Sequence, residues 1–188
     1  MAKSAQPASN AAMRIPRIYM ASLSDYNAGR LHGVWVEATD IEQVRDGVAG
    51  MLKASPGGAA EEYAIHDFEG FSRYLPSEST DLELVCAIGA AIVEHGTIFT
   101  AYLERVAFPT GAQRVPEVVA GFNESYQGAY ESVEDWAEQY LDDVGLLKQV
   151  PESIRSYVDL ESWAGDAELN GDIFAVEFEG KTHVFCNL

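Results

Sequence analysis

Histidine and acidic side chains are the first groups through which this chain could carry out acid–base chemistry. His66 and Asp67 are adjacent, so a base stands beside a carboxylate that could orient it. The surrounding "EYAIHDF" is typical of a β-strand, however, and neighbouring residues of a strand point to opposite faces. A structural role for the pair is therefore the favoured interpretation. A hydrolase using dispersed carboxylates stays open as an alternative, since 30 acidic residues form many pairs.

A thiol nucleophile is the second chemistry to consider. Cys86 and His95 could supply a nucleophile and its base, but Cys86 shares an apolar helical stripe with Leu82 and Val85, where a thiol is usually inert. The four histidines are dispersed and the two cysteines lie far apart, without the spacing of metal ligands. We predict no catalytic site, no metal, no cofactor, and a cytoplasmic protein with reduced cysteines.

Residues 27–33, "NAGRLHG", raise the question of a phosphate-binding loop, because two glycines flank Arg30. Their spacing matches neither G-x-G-x-x-G nor G-x-x-x-x-G-K-[ST], the arrangements that aim backbone amides at phosphate. A single arginine is a weak indication of phosphate binding. We interpret the segment as a polar connection between two paired strands.

Net charge is the unusual property of the 188-residue chain, which has 30 acidic and 12 basic residues and a net charge of −18. The part from Ile18 onward carries −21, because the first 17 residues contain three bases and no acid. Phosphate binding needs Lys and Arg to replace counterions, so this chain should repel nucleic acid and acidic membranes. No apolar run approaches the ~20 residues of a membrane-spanning helix. We expect a basic protein partner, an enzyme complex with a cationic groove, or a role in solubility.

The patterns along the chain predict an α+β protein built from three small sections. Residues 1–16 lack the apolar core of a secretion signal and are predicted to be a flexible tail. Residues 17–75 mix strand and helix signals, residues 76–150 are acidic and helical, and residues 151–188 combine a helix with a hairpin. We expect an N-terminal α+β domain, an acidic helical domain and a C-terminal α+β domain.

Local signals place the main elements. Three strands are predicted in the N-terminal section, at residues 17–23, 33–37 and 62–68. Thr80 and Glu83 have the spacing of a capping box and predict the start of a helix that ends at Gly96. Near the C-terminus, residues 159–169 are predicted to be helical. In residues 172–187, successive side chains alternate between two faces on either side of "EGK", which predicts two strands joined by a hairpin turn.

The most informative stretch is residues 116–145, which contain eight acids and no base. Apolar residues recur there every three or four positions, as on the core-facing side of a helix. They are Val119, Phe122, Tyr126, Ala129, Val133, Trp136 and Tyr140. Two glycines weaken an uninterrupted helix, and Ser132 is typical of an N-cap. We therefore predict two helices, at about 117–127 and 133–144, with their acids facing outward.

Unbalanced acids of this kind have a cost, because like charges at helical neighbour spacing destabilise by ~0.2–0.5 kcal/mol per pair. General solubility would explain them. They could also imitate phosphates, since B-DNA carries one negative charge per ~1.7 Å of axis, and carboxylates three or four positions apart on a helix lie ~5–6 Å apart at Cβ. The predicted phosphate-mimicking surface consists of Glu117, Glu124, Glu131, Glu134, Asp135, Glu138, Asp142, Asp143, Asp159, Glu161, Asp166 and Glu168.

Four ordered segments carry a family resemblance. Residues 18–38, "IYMASLSDYNAGRLHGVWVEA", resemble the start of ArdA-type antirestriction proteins. The matching positions are Ile18, Tyr19, Ala21, Leu23, Tyr26, Asn27, Gly29, Leu31, His32, Gly33 and Trp35. Further similar pieces follow at residues 61–71, 122–143 and 157–177, so that the resemblance covers nearly all of residues 17–187.

The resemblance implies an elongated, three-section homodimer that mimics bent B-form DNA. Such a protein would block Type I restriction-modification enzymes by occupying the DNA groove of their methyltransferase and specificity core, and mobile elements would carry it into new hosts. It would bind no nucleic acid and no membrane. The alternative function, which does not follow from the resemblance, is that of an acidic adaptor or chaperone for basic DNA-binding proteins.

Overall fold

The computed structural model describes residues 15–58, 60–74, 76–106 and 108–187. These residues form helices and two antiparallel three-stranded sheets, which confirms the predicted α+β class. The chain divides into two compact units, one ending at residue 120 and one formed by residues 121–188. The predicted tail over residues 1–16 lies outside the described residues except for its last two, and the three-section division stays a prediction.

The first unit contains one of the sheets. Its elements, in chain order, are β1 (Arg17–Ser22), α1 (Leu23–Asn27), β2 (Gly33–Glu37), α2 (Ile41–Lys53), β3 (Tyr63–Glu69), α3 (Leu82–His95), α4 (Ile98–Arg105) and a 3-10 turn (Ala112–Arg114). The strand order is β2–β1–β3, with both pairings antiparallel, so the three predicted N-terminal strands are confirmed. The central strand contributes Ile18 and Met20 to the core.

Helix starts in this unit follow from side-chain caps. The Asp40 carboxylate accepts hydrogen bonds from the backbone N–H groups at the start of α2. The predicted Thr80–Glu83 capping box at α3 is wrong: Asp81 is the cap and accepts from the Glu83 N–H at 2.9 Å. Thr80 instead accepts a hydrogen bond from the Ser77 N–H. The predicted end of α3 at Gly96, whose φ is 82°, is confirmed.

The second unit contains the other sheet, with the strand order β4–β6–β5. A helix, α5 (Val115–Ser125), leads into it. The further elements are β4 (Tyr126–Tyr130), α6 (Val133–Asp143), a 3-10 turn (Leu147–Gln149), α7 (Glu152–Arg155), α8 (Leu160–Asn170), β5 (Ile173–Phe178) and β6 (Lys181–Cys186). The predicted C-terminal helix and hairpin are confirmed. Positive φ values at Glu179 and Gly180 make the tight turn of the hairpin.

The acidic stretch departs from the prediction at its middle. Two helices form within the stretch, as expected, and Ser132 caps the second one, α6, by accepting a hydrogen bond from the Asp135 N–H. The segment that joins the two helices is the strand β4. It pairs with β6 through a register shift between Tyr126 and Gly128, where the glycine has a φ of 136°. The first predicted helix, at about 117–127, therefore ends earlier, at Ser125, because pairing of the next residues with β6 overrides the local helical pattern.

The core of the second unit fixes the orientation of its acidic helices. Trp136 and Ala137 of α6 are buried with two alanines of α8, Ala164 and Ala167, against the hairpin residue Val184. Small alanine side chains allow the two helices to pack closely together. Because these residues face inward, together with Leu141 of α6, the acidic positions of both helices are left on their outer sides.

Candidate acidic interface

The residues considered for catalysis make structural contacts. The ring of His66 meets that of Tyr26 edge-on, with centroids 4.6 Å apart, while Asp67 Oδ1 accepts from the Phe68 N–H. Burial in α3 raises the pKa of the Cys86 thiol to about 11, so the reactive thiolate is scarce at neutral pH. Within the described ranges, no three His, Cys, Asp or Glu side chains are grouped as a metal ion requires.

The glycine-flanked loop also has a structural explanation. It leads from α1 into β2 and is part of the connection between the antiparallel strands β1 and β2, as predicted, although the helix α1 within that connection was not predicted. The Arg30 guanidinium, the one phosphate-binding candidate there, donates from Nε to Asp25 Oδ1 at 2.9 Å. His32 Nε2 lies 2.7 Å from the carbonyl oxygen of Met51. These side chains hold the loop against its own unit.

The second unit positions eleven of the twelve predicted phosphate-mimicking acids. Helix α6 carries Glu134, Asp135, Glu138, Asp142 and Asp143. Helix α8 and its N-cap carry Asp159, Glu161, Asp166 and Glu168. Glu124 lies near the end of α5 and Glu131 immediately precedes the N-cap of α6. Since α6 packs against α8, the structure brings nine acids onto two adjacent helices. Glu117 lies in the first unit.

These acids face solvent and are largely unneutralised. Ten of the twelve are exposed, and Glu134 and Asp142 are half-buried. Three form ion pairs: Glu131 with Lys181, Asp142 with Lys148 and Glu117 with Arg114. The other nine have no cationic partner among the residues that the structure describes. Their negative charge is therefore available to an external partner.

Hydrogen bonds fix three of the carboxylates in place. A bond to the Ser132 side chain, with a backbone bond, lowers the pKa of Glu134. Bonds from the Ser162 backbone and hydroxyl lower the pKa of Asp159. Glu168 accepts from the Ala175 N–H at 3.2 Å. The lowered pKa values of Glu134 and Asp159 keep these two groups charged, whereas a general acid at neutral pH needs the opposite pKa shift.

Sequence reasoning recognised the acidic segments but missed how strongly charge is concentrated. Residues 121–188 contain 15 acids and three bases, a net charge of −12 in 68 residues. Four acids of this unit were not predicted to belong to the surface: Glu152, Asp172, Glu177 and Glu179. Only the division into two units shows that these residues share one body with the predicted acids.

Comparison with known proteins shows the family of this chain. A family model described as antirestriction protein (ArdA) matches residues 18–179, most of the chain. The chain therefore belongs to the ArdA antirestriction family, as the sequence resemblance indicated, and the family implies an antirestriction function. No curated protein matches the chain.

Membership has consequences for the partner. An antirestriction function implies interaction with restriction-modification enzymes.

None of the helices in the described residues is both long and apolar enough to cross a membrane.

Proposed function

We propose that this protein mimics B-form DNA and competitively inhibits Type I restriction-modification enzymes. The observation that carries the proposal is the set of exposed, unneutralised carboxylates on the packed helices α6 and α8. Carboxylates at helical neighbour spacing lie ~5–6 Å apart at Cβ. The Lys and Arg side chains that bind DNA phosphates in the enzyme's methyltransferase and specificity core would bind these oxygens instead.

The proposed mechanism places the protein inside the cell, in the cytoplasm, where restriction occurs. A mobile element carrying it would survive arrival in a new host because the enzyme's DNA groove is already occupied. The protein acts as a homodimer, which doubles the negative surface that one inhibitor presents. Ion-pair recognition spreads over many weak contacts, so most of the twelve acids contribute little individually.

Neutralising six acids of the second unit together tests this proposal. The variant combines Glu124→Gln, Asp135→Asn, Glu138→Gln, Glu161→Gln, Asp166→Asn and Glu168→Gln, all at exposed positions. Exposed ion pairs are worth ~0.2–1 kcal/mol each, so six together should weaken inhibition by at least about sevenfold. The measurement is inhibition of DNA cleavage and methylation by a purified Type I enzyme.

A matched control removes six exposed acids from the first unit: Glu37, Asp46, Glu61, Glu62, Asp67 and Glu78. We expect a smaller loss of inhibition from this control. Equal inhibition by the parent and the second-unit variant would disprove the proposal. Duplex DNA should also displace the inhibitor from the enzyme. Binding that persists in excess duplex DNA would instead favour the adaptor or chaperone alternative.

A further inference from the structure

A groove of about 520 Å³ lies between β4 and α6, within the acidic unit. We call it the aromatic groove. Its lining residues are Gln127, Tyr130, Trp136, Gln139, Tyr140 and Asp143. Aromatic rings, carboxamides and one carboxylate therefore share a concave surface, and none of the lining residues is basic. An anionic ligand such as a phosphate would be repelled there, since the surrounding unit has a net charge of −12.

Packing beneath the groove holds its aromatic wall in place. The Tyr140 ring stacks on Trp136, with centroids 5.3 Å apart, and on Trp163 at 5.8 Å. Tyr140 nevertheless keeps 37% of its surface exposed. The Tyr130 hydroxyl donates to the Gln127 carbonyl oxygen at 3.1 Å, which fixes the position of the second ring. A rigid ring with an exposed part is a ready platform for a stacking ligand.

Two polar groups of the groove are available as hydrogen-bond acceptors. Asp143 is exposed and has no ion pair with another residue that the structure describes. The Gln127 amide nitrogen already donates to the Ser125 carbonyl at 3.1 Å, which leaves the amide oxygen as an acceptor. A cation that stacks on Tyr140 would therefore also meet a carboxylate and an amide oxygen.

We propose that the aromatic groove receives the guanidinium of an arginine from the DNA-binding surface of the restriction-modification enzyme. A guanidinium is planar, stacks on aromatic rings, is weakly hydrated and donates in a fork, whereas a lysine ammonium is a strongly hydrated point charge. This inference rests on the proposed function, because it names the group that one part of the acidic surface binds. It adds a specific anchor to an otherwise diffuse ionic contact.

A titration of the full-length protein with N-acetyl-arginine amide tests the groove without the enzyme. Nuclear magnetic resonance would follow the side-chain amides of Gln127 and Gln139 and the indole N–H of Trp136. We expect these signals to shift in the tens of millimolar range, and N-acetyl-lysine amide to shift them several-fold less. The amide of Gln43, on α2, is the reference signal. Equal shifts from both compounds, or no shift, would overturn the inference.

Affinity for the Type I methyltransferase supplies the second test. Tyr140→Leu should weaken binding about fivefold to tenfold, between the values of an exposed and a desolvated cation–π contact. Asp143→Asn, which removes the carboxylate that meets the guanidinium, should weaken it about fivefold. Tyr140→Phe keeps the aromatic face and should stay within about threefold of the parent. The matched controls are Tyr157→Leu and Asp172→Asn, at exposed positions outside the groove.

The outcomes separate the two proposals. If the six-acid variant loses inhibition while Asp143→Asn and Tyr140→Leu bind like their controls, the groove inference is wrong and DNA mimicry stands. If the six-acid variant inhibits like the parent, mimicry fails, and the arginine titration still decides whether the groove binds guanidinium. Should Tyr140→Leu not fold, Asp143→Asn and the titration of the unmodified protein give the result.

Discussion

At the scale of single residues, Asp25 is the clearest case of a charge used for structure. It is fully buried between the start of α1 and the loop after α2. Its carboxylate accepts from the Ser55 hydroxyl at 2.6 Å and from Arg30 at 2.9 Å. Hydrogen bonds from Ser55, Ser22 and Arg30 outweigh burial and lower its pKa to about 2. The polar loop between β1 and β2 is thus tied together by one carboxylate.

The stability of the fold should depend on pH through the Asp25 carboxylate. Since its folded pKa of about 2 lies below the ordinary 3.8, the carboxylate stabilises the fold above pH 3.8, and this contribution is lost as pH falls through about 2. Asp25→Asn should lower stability at neutral pH and flatten the decline between those values. Urea unfolding at a series of pH values measures both effects. Asp67→Asn, at an exposed position, is the control, and matching curves for the two variants would contradict the prediction.

At the scale of elements, two helical glycines show how packing decides the effect of one methyl group. Gly89 lies on a buried face of α3, where an added Cβ would collide with the backbone carbonyl oxygen of Ala38. Gly50 lies on α2 with nothing within 4 Å of an added Cβ. A helical glycine is kept where a helix approaches another backbone closely, and elsewhere it only costs stability.

Gly89→Ala and Gly50→Ala should therefore change stability in opposite directions. Overpacking at Gly89 should destabilise by about 1–3 kcal/mol, while Gly50→Ala should stabilise by about 0.4–1 kcal/mol through helix propensity and a restricted unfolded chain. Denaturant midpoints at constant m-value measure both. A neutral or stabilising Gly89→Ala would show that α3 can move away from Ala38.

At the scale of the whole molecule, net charge bears on stability and on the proposed binding. A chain at −18 repels itself when folded, most strongly in the unit that carries −12. Mobile ions screen this repulsion, and they also screen the attraction of the acidic surface to a basic partner. The negative charge thus lowers the stability of the fold, whereas it strengthens the proposed binding to a basic partner.

Added salt should therefore raise the thermal stability of the protein and weaken its inhibition of a Type I enzyme. Between about 10 and 150 mM ionic strength the Debye length falls from ~30 to ~8 Å, so most of the change should occur there. Binding should decline less steeply than duplex DNA binding by the same enzyme, because DNA also releases condensed counterions. Thermal unfolding and inhibition assays in parallel measure the two trends. Inhibition that is insensitive to salt would contradict an ionic mechanism.

Much of the fold could be predicted where neighbours along the chain decide the structure. A cap such as Ser132, the turn at Glu179 and Gly180, and the alternation of the C-terminal hairpin depend on a few adjacent residues. The acidity of residues 116–145 is likewise a property of the sequence. Family membership followed from ordered motifs and is confirmed over residues 18–179.

Tertiary contacts decided the rest, because they join residues that no local window contains. Apolar spacing over Tyr126–Tyr130 suits a helix, but the backbone of this segment bonds to β6, far along the chain. That pairing creates one wall of the aromatic groove, and the packing of α6 on α8 decides which acids share a surface. The amount of negative charge is readable from residue types alone, whereas its placement depends on which distant segments meet.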